Sequence, residues 1–147
     1  MSKSTIVVVE DEEDIYEVVR YNLEKEGFHV HGAFSGEIAQ QKITAHQPDL
    51  VLLDLMLPGI SGLDLCRKLK QQDDTRQIPI IMVTAKTEDS DIVAGLELGA
   101  EDYITKPFSP RVLIARVRSV LRRQKIGVID ESNICLLYTS DAADDRD

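Results

Sequence analysis

Glu10, Asp11, Asp54, Thr84 and Lys106 each stand where a short apolar run stops, and their chemistry is complementary. Thr5–Val9 gives way to Glu10 and Asp11, Leu50–Leu53 to Asp54, Ile80–Val83 to Thr84, and Asp102–Thr105 to Lys106. Three carboxylates brought together cannot all stay ionised unless their pKa values rise or a cation joins them. A hard divalent ion is the simple remedy, and Mg²⁺ favours one or two carboxylates, several waters and a substrate phosphate. Mg²⁺ alone does not require a lysine, whereas a site that must also hold phosphoryl oxygens does. Asp54 follows a strongly apolar run that would fix it in place, which makes it the candidate nucleophile.

The elements that must position these groups follow from the apolar pattern. Five short runs, Thr5–Val9, His29–Ala33, Leu50–Leu53, Ile80–Val83 and Asp102–Thr105, each precede a helical pattern. The first, third and fourth are apolar on successive residues, as central parallel strands covered on both faces are, while His29–Ala33 suits an edge. Ile15, Val18, Val19 and Leu23 mark one face of a first helix ended by Gly27. A second helix follows Ser35 with Ile38, Ala39 and Ile43 and stops before Pro48; a third begins near Leu63 with Leu65, Cys66 and Leu69. The fourth, near Asp89–Leu98, carries Gly95 at a cost of about 1 kcal/mol against Ala, which marks it as a mobile element. The fifth has Ser109 as N-cap and Pro110 at its first position, with Leu113, Ile114, Val117, Val120 and Leu121 facing inward. Alternating β and α elements predict an α/β fold with right-handed crossovers and a parallel sheet. In the strand order 2-1-3-4-5, the crevice where that order reverses lies between Glu10/Asp11 and Asp54.

Past Arg123 the helical pattern fails in the sequence. Gly127–Ile129 could begin a strand, and residues 135–147 have no period and resemble translated adapter sequence. The organisation expected is a folded domain over residues 1–124, the start of a linker at 125–134, and a non-native or disordered tail at 135–147. The net charge of −9 argues against this domain gripping nucleic acid by itself. From Gly127 onward six acids face only Arg146, a local net of −5 that leaves −4 for the preceding 126 residues. No apolar run approaches the roughly 20 residues of a membrane helix, so a cytoplasmic protein without membrane contact is expected. Cys66 and Cys135 form no CxxC pair and read as free thiols. His29 and His31 share one face of a strand without a nearby acid or cysteine, which suits a solvated face rather than a metal cluster.

The strings Val8-Val9-Glu10-Asp11-Glu12, Asp54-Leu55-Met56-Leu57-Pro58-Gly59, Thr84-Ala85 and Asp102-Tyr103-Ile104-Thr105-Lys106-Pro107-Phe108 together resemble the response-regulator receiver family over residues 4–124. The run from Gly99 to Arg123 most resembles the winged-helix transcription factors that include phosphate-regulon regulators. The resemblance implies a flavodoxin-like (βα)5 fold, a doubly wound five-stranded parallel sheet of order 2-1-3-4-5. It implies that Asp54 accepts a phosphoryl group from a sensor histidine kinase, the domain catalysing only its own phosphorylation and slow dephosphorylation. Asp11, Asp54 and the Met56 carbonyl would ligate Mg²⁺, with Glu10 acting through water. Lys106 would pair with the phosphoryl group beside a cis Lys106–Pro107 bond, Thr84 would move onto a phosphoryl oxygen, and Tyr103 would rotate into the vacated space. Lys86, two residues beyond Thr84, would cover the phosphoryl group from the other side.

The resemblance further implies that the phosphorylated form dimerises through the fourth helix, fifth strand and fifth helix, with Glu97–Arg118 and Asp102–Arg116 pairs between protomers. Ile92 and Val112 stand where that family places an arginine and a glutamate, which suggests an apolar contact in place of a salt bridge. Two outputs remain: control of a DNA-binding effector beyond this chain, or a complete single-domain phosphorelay receiver. Two other classes fit less well. An aspartyl-phosphate phosphatase needs a second acid two residues after its nucleophile, where this chain has Met56. A flavin carrier needs a loop that welcomes phosphate, and Glu10–Asp14 would repel it.

Overall fold

A computed structural model of the chain describes residues 3–85 and 89–129. Lys86, Cys135 and the acidic tail from Asp130 onward lie outside the described residues. The chain alternates β1 Thr5–Val9, α1 Glu13–Lys25, β2 His29–Ala33, α2 Gly36–His46, β3 Leu50–Asp54, α3 Gly62–Gln71, β4 Ile80–Thr84, α4 Asp89–Leu98, β5 Asp102–Thr105 and α5 Pro110–Ile129. All neighbouring strands are parallel, in the order β2-β1-β3-β4-β5, so the fold is the flavodoxin-like one expected.

Period-two alternation along the central strands feeds two cores. Val7, Val9, Val51, Leu53 and Met82 face α2, α3 and α4, where they meet Ala39, Ile43, Leu65 and Leu69. Ile6, Val8, Leu52, Ile81 and Val83 face α1 and α5 and meet Val19, Leu23, Leu113 and Val117. Both faces of β3 and β4 are therefore covered, which is why these strands read as unbroken apolar runs. Three serines start helices as their types predict: the hydroxyl oxygens of Ser35, Ser61 and Ser109 accept from the backbone N–H groups of Ile38, Asp64 and Val112 at 3.2–3.3 Å.

Several expectations are corrected. Tyr16, not Val18, completes the inward face of α1, and Val18 is 51% exposed. The reason is Gly32 on β2: a Cβ there would stand 2.5 Å from the Tyr16 ring, so the ring fills the space that the glycine leaves. Ile38 is exposed, and α2 turns Gly36, Ala39 and Ile43 inward instead. The helix α5 runs through Gly127–Ile129, past residue 125 where a linker was expected to start; no proline interrupts it, and one glycine costs only about 1 kcal/mol. Gly95 is buried where a Cβ would stand 2.0 Å from Met82 Sδ, so close approach of α4 to β4 accounts for it. His29 is exposed, whereas His31 on the same strand face is half-buried. The His31 ring stacks on that of His46 at 3.8 Å, and burial followed by the neighbouring His46 and Lys42 pushes its pKa down.

Cys66 is a free, buried thiol whose pKa burial pushes up, which makes it a packing residue. Among the described residues no helix is long and apolar enough to cross a membrane.

Candidate functional site

The carboxyl ends of β1, β3 and β4 lie side by side because their registers align: Val9 pairs with Leu53, and Asp54 with Val83. From β1 the order runs to β2 on one side and to β3 on the other, so the crevice between β1 and β3 is the topological switch point. Asp54 and Thr84 are the last residues of their strands rather than the first beyond them, and both are buried. The Glu10 N–H donates to the Ala33 carbonyl at 3.0 Å, which carries the β1–β2 ladder one residue further and turns Glu10 into the crevice.

Glu10, Asp11 and Asp54 each offer a carboxylate oxygen, and all three oxygens lie within 4.8 Å of one another. Glu10 is 3% and Asp54 2% exposed, whereas Asp11 faces solvent. Lys106 Nζ reaches between the two buried acids, 3.0 Å from Glu10 Oε1 and 3.3 Å from Asp54 Oδ2. The Met56 N–H donates to Asp54 Oδ1 at 2.9 Å, and the Glu12 N–H to Glu10 Oε2 at 3.1 Å.

Burial pushes the Glu10 carboxyl up to about 7; hydrogen bonds from Lys106 and the Glu12 amide oppose it, and the charge of Asp54 adds to it. Burial alone would lower the pKa of Lys106, but its hydrogen bond to Glu10 and the charge of Asp54 outweigh that, and the net shift is upward. The lysine is therefore a fixed cation. A single ammonium among three carboxylates still leaves excess negative charge. The donor set is all hard oxygen, so the residues fit a Mg²⁺ ion.

The sequence placed Lys106 against an incoming group only; its direct pairing with Glu10 was not anticipated. Both follow strands whose carboxyl ends lie on the same side of the sheet, but the two residues are far apart in the chain and no local pattern pairs them. Gly62 was also missed. As the first residue of α3 it lies on the Asp54 backbone, where a Cβ would stand 2.4 Å from the Asp54 carbonyl oxygen. The Lys106–Pro107 bond is cis, as the resemblance implies, and the Lys106 N–H donates to the Thr84 carbonyl at 2.8 Å. Tyr103 is half-buried and packs toward the core shared with α3 and α4.

On the expected dimer face, Arg116 Nη1 already holds Asp102 of the same chain at 3.0–3.1 Å. Arg118 pairs with Glu26, just past the end of α1, rather than with Glu97, which is exposed. Val112 is exposed and Ile92 half-buried.

Fold and site define a doubly wound α/β domain with an acidic, lysine-bridged crevice at its switch point. Residues 6–118 match the response regulator receiver domain, and the chain belongs to that family. It is 51% identical over 124 residues to the phosphate regulon transcriptional regulatory protein PhoB of Rhizobium meliloti, covering 84% of this chain and 55% of that protein. It is also 51% identical over 122 residues to the alkaline phosphatase synthesis transcriptional regulatory protein PhoP of Bacillus subtilis, covering 83% and 50%. The chain thus spans about half the length of the curated relatives it matches. Among solved structures, a CheY-like response regulator receiver domain protein from Methanospirillum hungatei superposes with a TM-score of 0.80 at 31% identity, covering 84% of this chain and 98% of that one.

Proposed function

We propose that this domain accepts a phosphoryl group on Asp54 from a sensor histidine kinase in the cytoplasm, with Mg²⁺ bound by Asp11, Asp54 and the Met56 carbonyl and Glu10 acting through water. The observation that carries this reading is the buried Asp54 carboxylate, 3.3 Å from Lys106 and within 4.8 Å of two further acids at the switch point. A bound Mg²⁺ would supply charge neutralisation for the acids and for the transferred phosphoryl oxygens. Asp54 supplies the attacking oxygen: a new P–O bond forms as the P–N bond to the kinase imidazole breaks, and the released nitrogen keeps its electron pair. Met56 N–H orients the carboxylate through Oδ1. Lys106 gives up part of its interaction with Glu10 and Asp54 to pair with the incoming phosphoryl oxygens.

Thr84 then moves onto a phosphoryl oxygen, Tyr103 turns inward, and the α4–β5–α5 face becomes competent to dimerise. The output is control of a DNA-binding effector. That reading is supported by 51% identity to two transcriptional regulators about half of whose length this chain spans.

Incubation with acetyl phosphate and MgCl2 should add one phosphoryl group by intact mass. Asp54→Ala and an excess of EDTA should each abolish it. Labelling of the variant at the wild-type rate would remove Asp54 from the mechanism, and labelling in EDTA would remove Mg²⁺.

A further inference from the structure

Residues 55–61 leave the sheet after Asp54 and return at the start of α3, carrying the Met56 carbonyl on the way. The Met56 side chain is 56% exposed and does not anchor its own residue. Beyond the Met56 N–H bond to Asp54 and the packing of Leu57 against the core, two contacts bear on the far side of the loop. At its end, the Gly62 N–H donates to the Leu55 carbonyl at 3.2 Å, with Gly62 lying flat on the Asp54 backbone. One residue before its last, Ile60 enters a hollow over Gly36, the first residue of α2. A Cβ on Gly36 would stand 1.9 Å from Ile60 Cγ2 and 3.3 Å from both Ile60 Cβ and the Ile60 carbonyl oxygen. The methyl group thus occupies the place a side chain on α2 would take.

We propose that Ile60 and Gly36 are positioning residues for the metal: this knob and hollow fix the loop so that the Met56 carbonyl is presented before Mg²⁺ arrives. The inference rests on the Mg²⁺ reading above. A ligand atom on an untethered loop must be ordered at the moment of binding, and that entropy weakens the site. Ile60 is β-branched, so turning Cγ2 away from an added Cβ costs a disfavoured χ1 rotamer, and the Ile60 carbonyl oxygen at 3.3 Å is backbone that moves only with the loop. The contact couples α2, which touches no ligand, to the coordination sphere.

MgCl2 titration of the full chain, followed by amide NMR shifts, tests this alongside thermal melts in EDTA. Gly36→Ala should weaken Mg²⁺ binding about tenfold, the lower end of what loss of a supporting contact costs a metal site. Ile60→Ala should weaken it less, and Ile60→Val, which keeps the methyl, should bind as wild type does. The double variant Gly36→Ala/Ile60→Ala should bind no worse than Ile60→Ala, because the clashing methyl is gone. Gly99→Ala serves as the destabilised control. It strains a glycine at φ 116° at the opposite end of the sheet, and should lower Tm without changing Mg²⁺ affinity. Wild-type affinity in Gly36→Ala, or a double variant as weak as the product of the two single losses, overturns the proposal. If Gly36→Ala does not fold, equal affinities for Ile60→Ala and Ile60→Val overturn it. Absence of saturable shifts in the wild type overturns the Mg²⁺ reading instead.

Discussion

Glu10 is almost wholly buried beside another carboxylate, and its pKa rises from 4.5 to about 7 for that reason. A carboxyl whose folded pKa is raised binds its proton more tightly in the native state. Its stabilising contribution is therefore complete below 4.5 and is lost as pH rises through about 7. His31, with a lowered pKa, acts in the opposite sense: its contribution is present above its usual 6.5 and lost as pH falls. The difference between wild type and Glu10→Gln isolates the first effect. In metal-free urea denaturation, wild type should lose stability relative to Glu10→Gln between about 4.5 and about 7. Parallel profiles would show that Glu10 is not held protonated by its surroundings. Met56 makes a second prediction at this scale. Hydrolysis of the phosphoryl group needs a water held in line, and a thioether exposed beside Asp54 cannot orient one. Phosphoryl decay should take minutes to hours and should quicken severalfold in Met56→Asn; loss within seconds from the wild-type protein would contradict this.

The elements differ in how much of them the sequence displays. Strand positions were legible because β1, β3 and β4 are buried on both faces, and two helix starts because Ser35 and Ser109 cap them through their own side chains. The site residues were legible for the same reason: a polar residue ending an apolar strand is conspicuous. What stayed hidden depends on contacts between elements. Tyr16 faces inward only because Gly32 lies beneath it, and Gly95 is required only because Met82 lies beneath α4. The pairing of Lys106 with Glu10 joins residues 96 positions apart, and no local pattern announces it. Gly62 belongs with these. Alanine is favoured over glycine by about 1 kcal/mol within a helix, yet at this position its Cβ would meet the Asp54 carbonyl oxygen at 2.4 Å. That atom is backbone and cannot yield. Gly62→Ala should therefore destabilise the domain by about 1–3 kcal/mol in urea denaturation. Unchanged or increased stability would mean that α3 can start elsewhere.

For the molecule as a whole, α4 and α5 present Val93, Leu96 and Val112 at 40–49% exposure on the face proposed to dimerise. The charged groups there are partly committed within the chain, Arg116 to Asp102 and Arg118 to Glu26. A Glu97–Arg118 pair between protomers would have to replace an existing ion pair, so its net gain is small. Apolar contact at Ile92 and Val112, worth about 1–2 kcal/mol per contact by area, should dominate. Treatment with beryllofluoride and Mg²⁺ should give a dimer by sedimentation that keeps much of its affinity at high salt. Ile92→Arg should weaken it, and adding Val112→Glu should restore it with new salt sensitivity. A monomer at tens of micromolar, roughly the range in which such weak interfaces assemble, would rule this face out.

Direct mapping of the modified residue tests the central claim. After acetyl phosphate treatment with Mg²⁺, borohydride reduction converts an acyl phosphate on aspartate to homoserine, and peptide sequencing by mass spectrometry locates it. Homoserine at position 54, and its absence when EDTA is present, is the result expected from the buried carboxylate beside Lys106. Homoserine at Asp11 or another acid, or none at position 54 in protein that has gained a phosphoryl group, would contradict it.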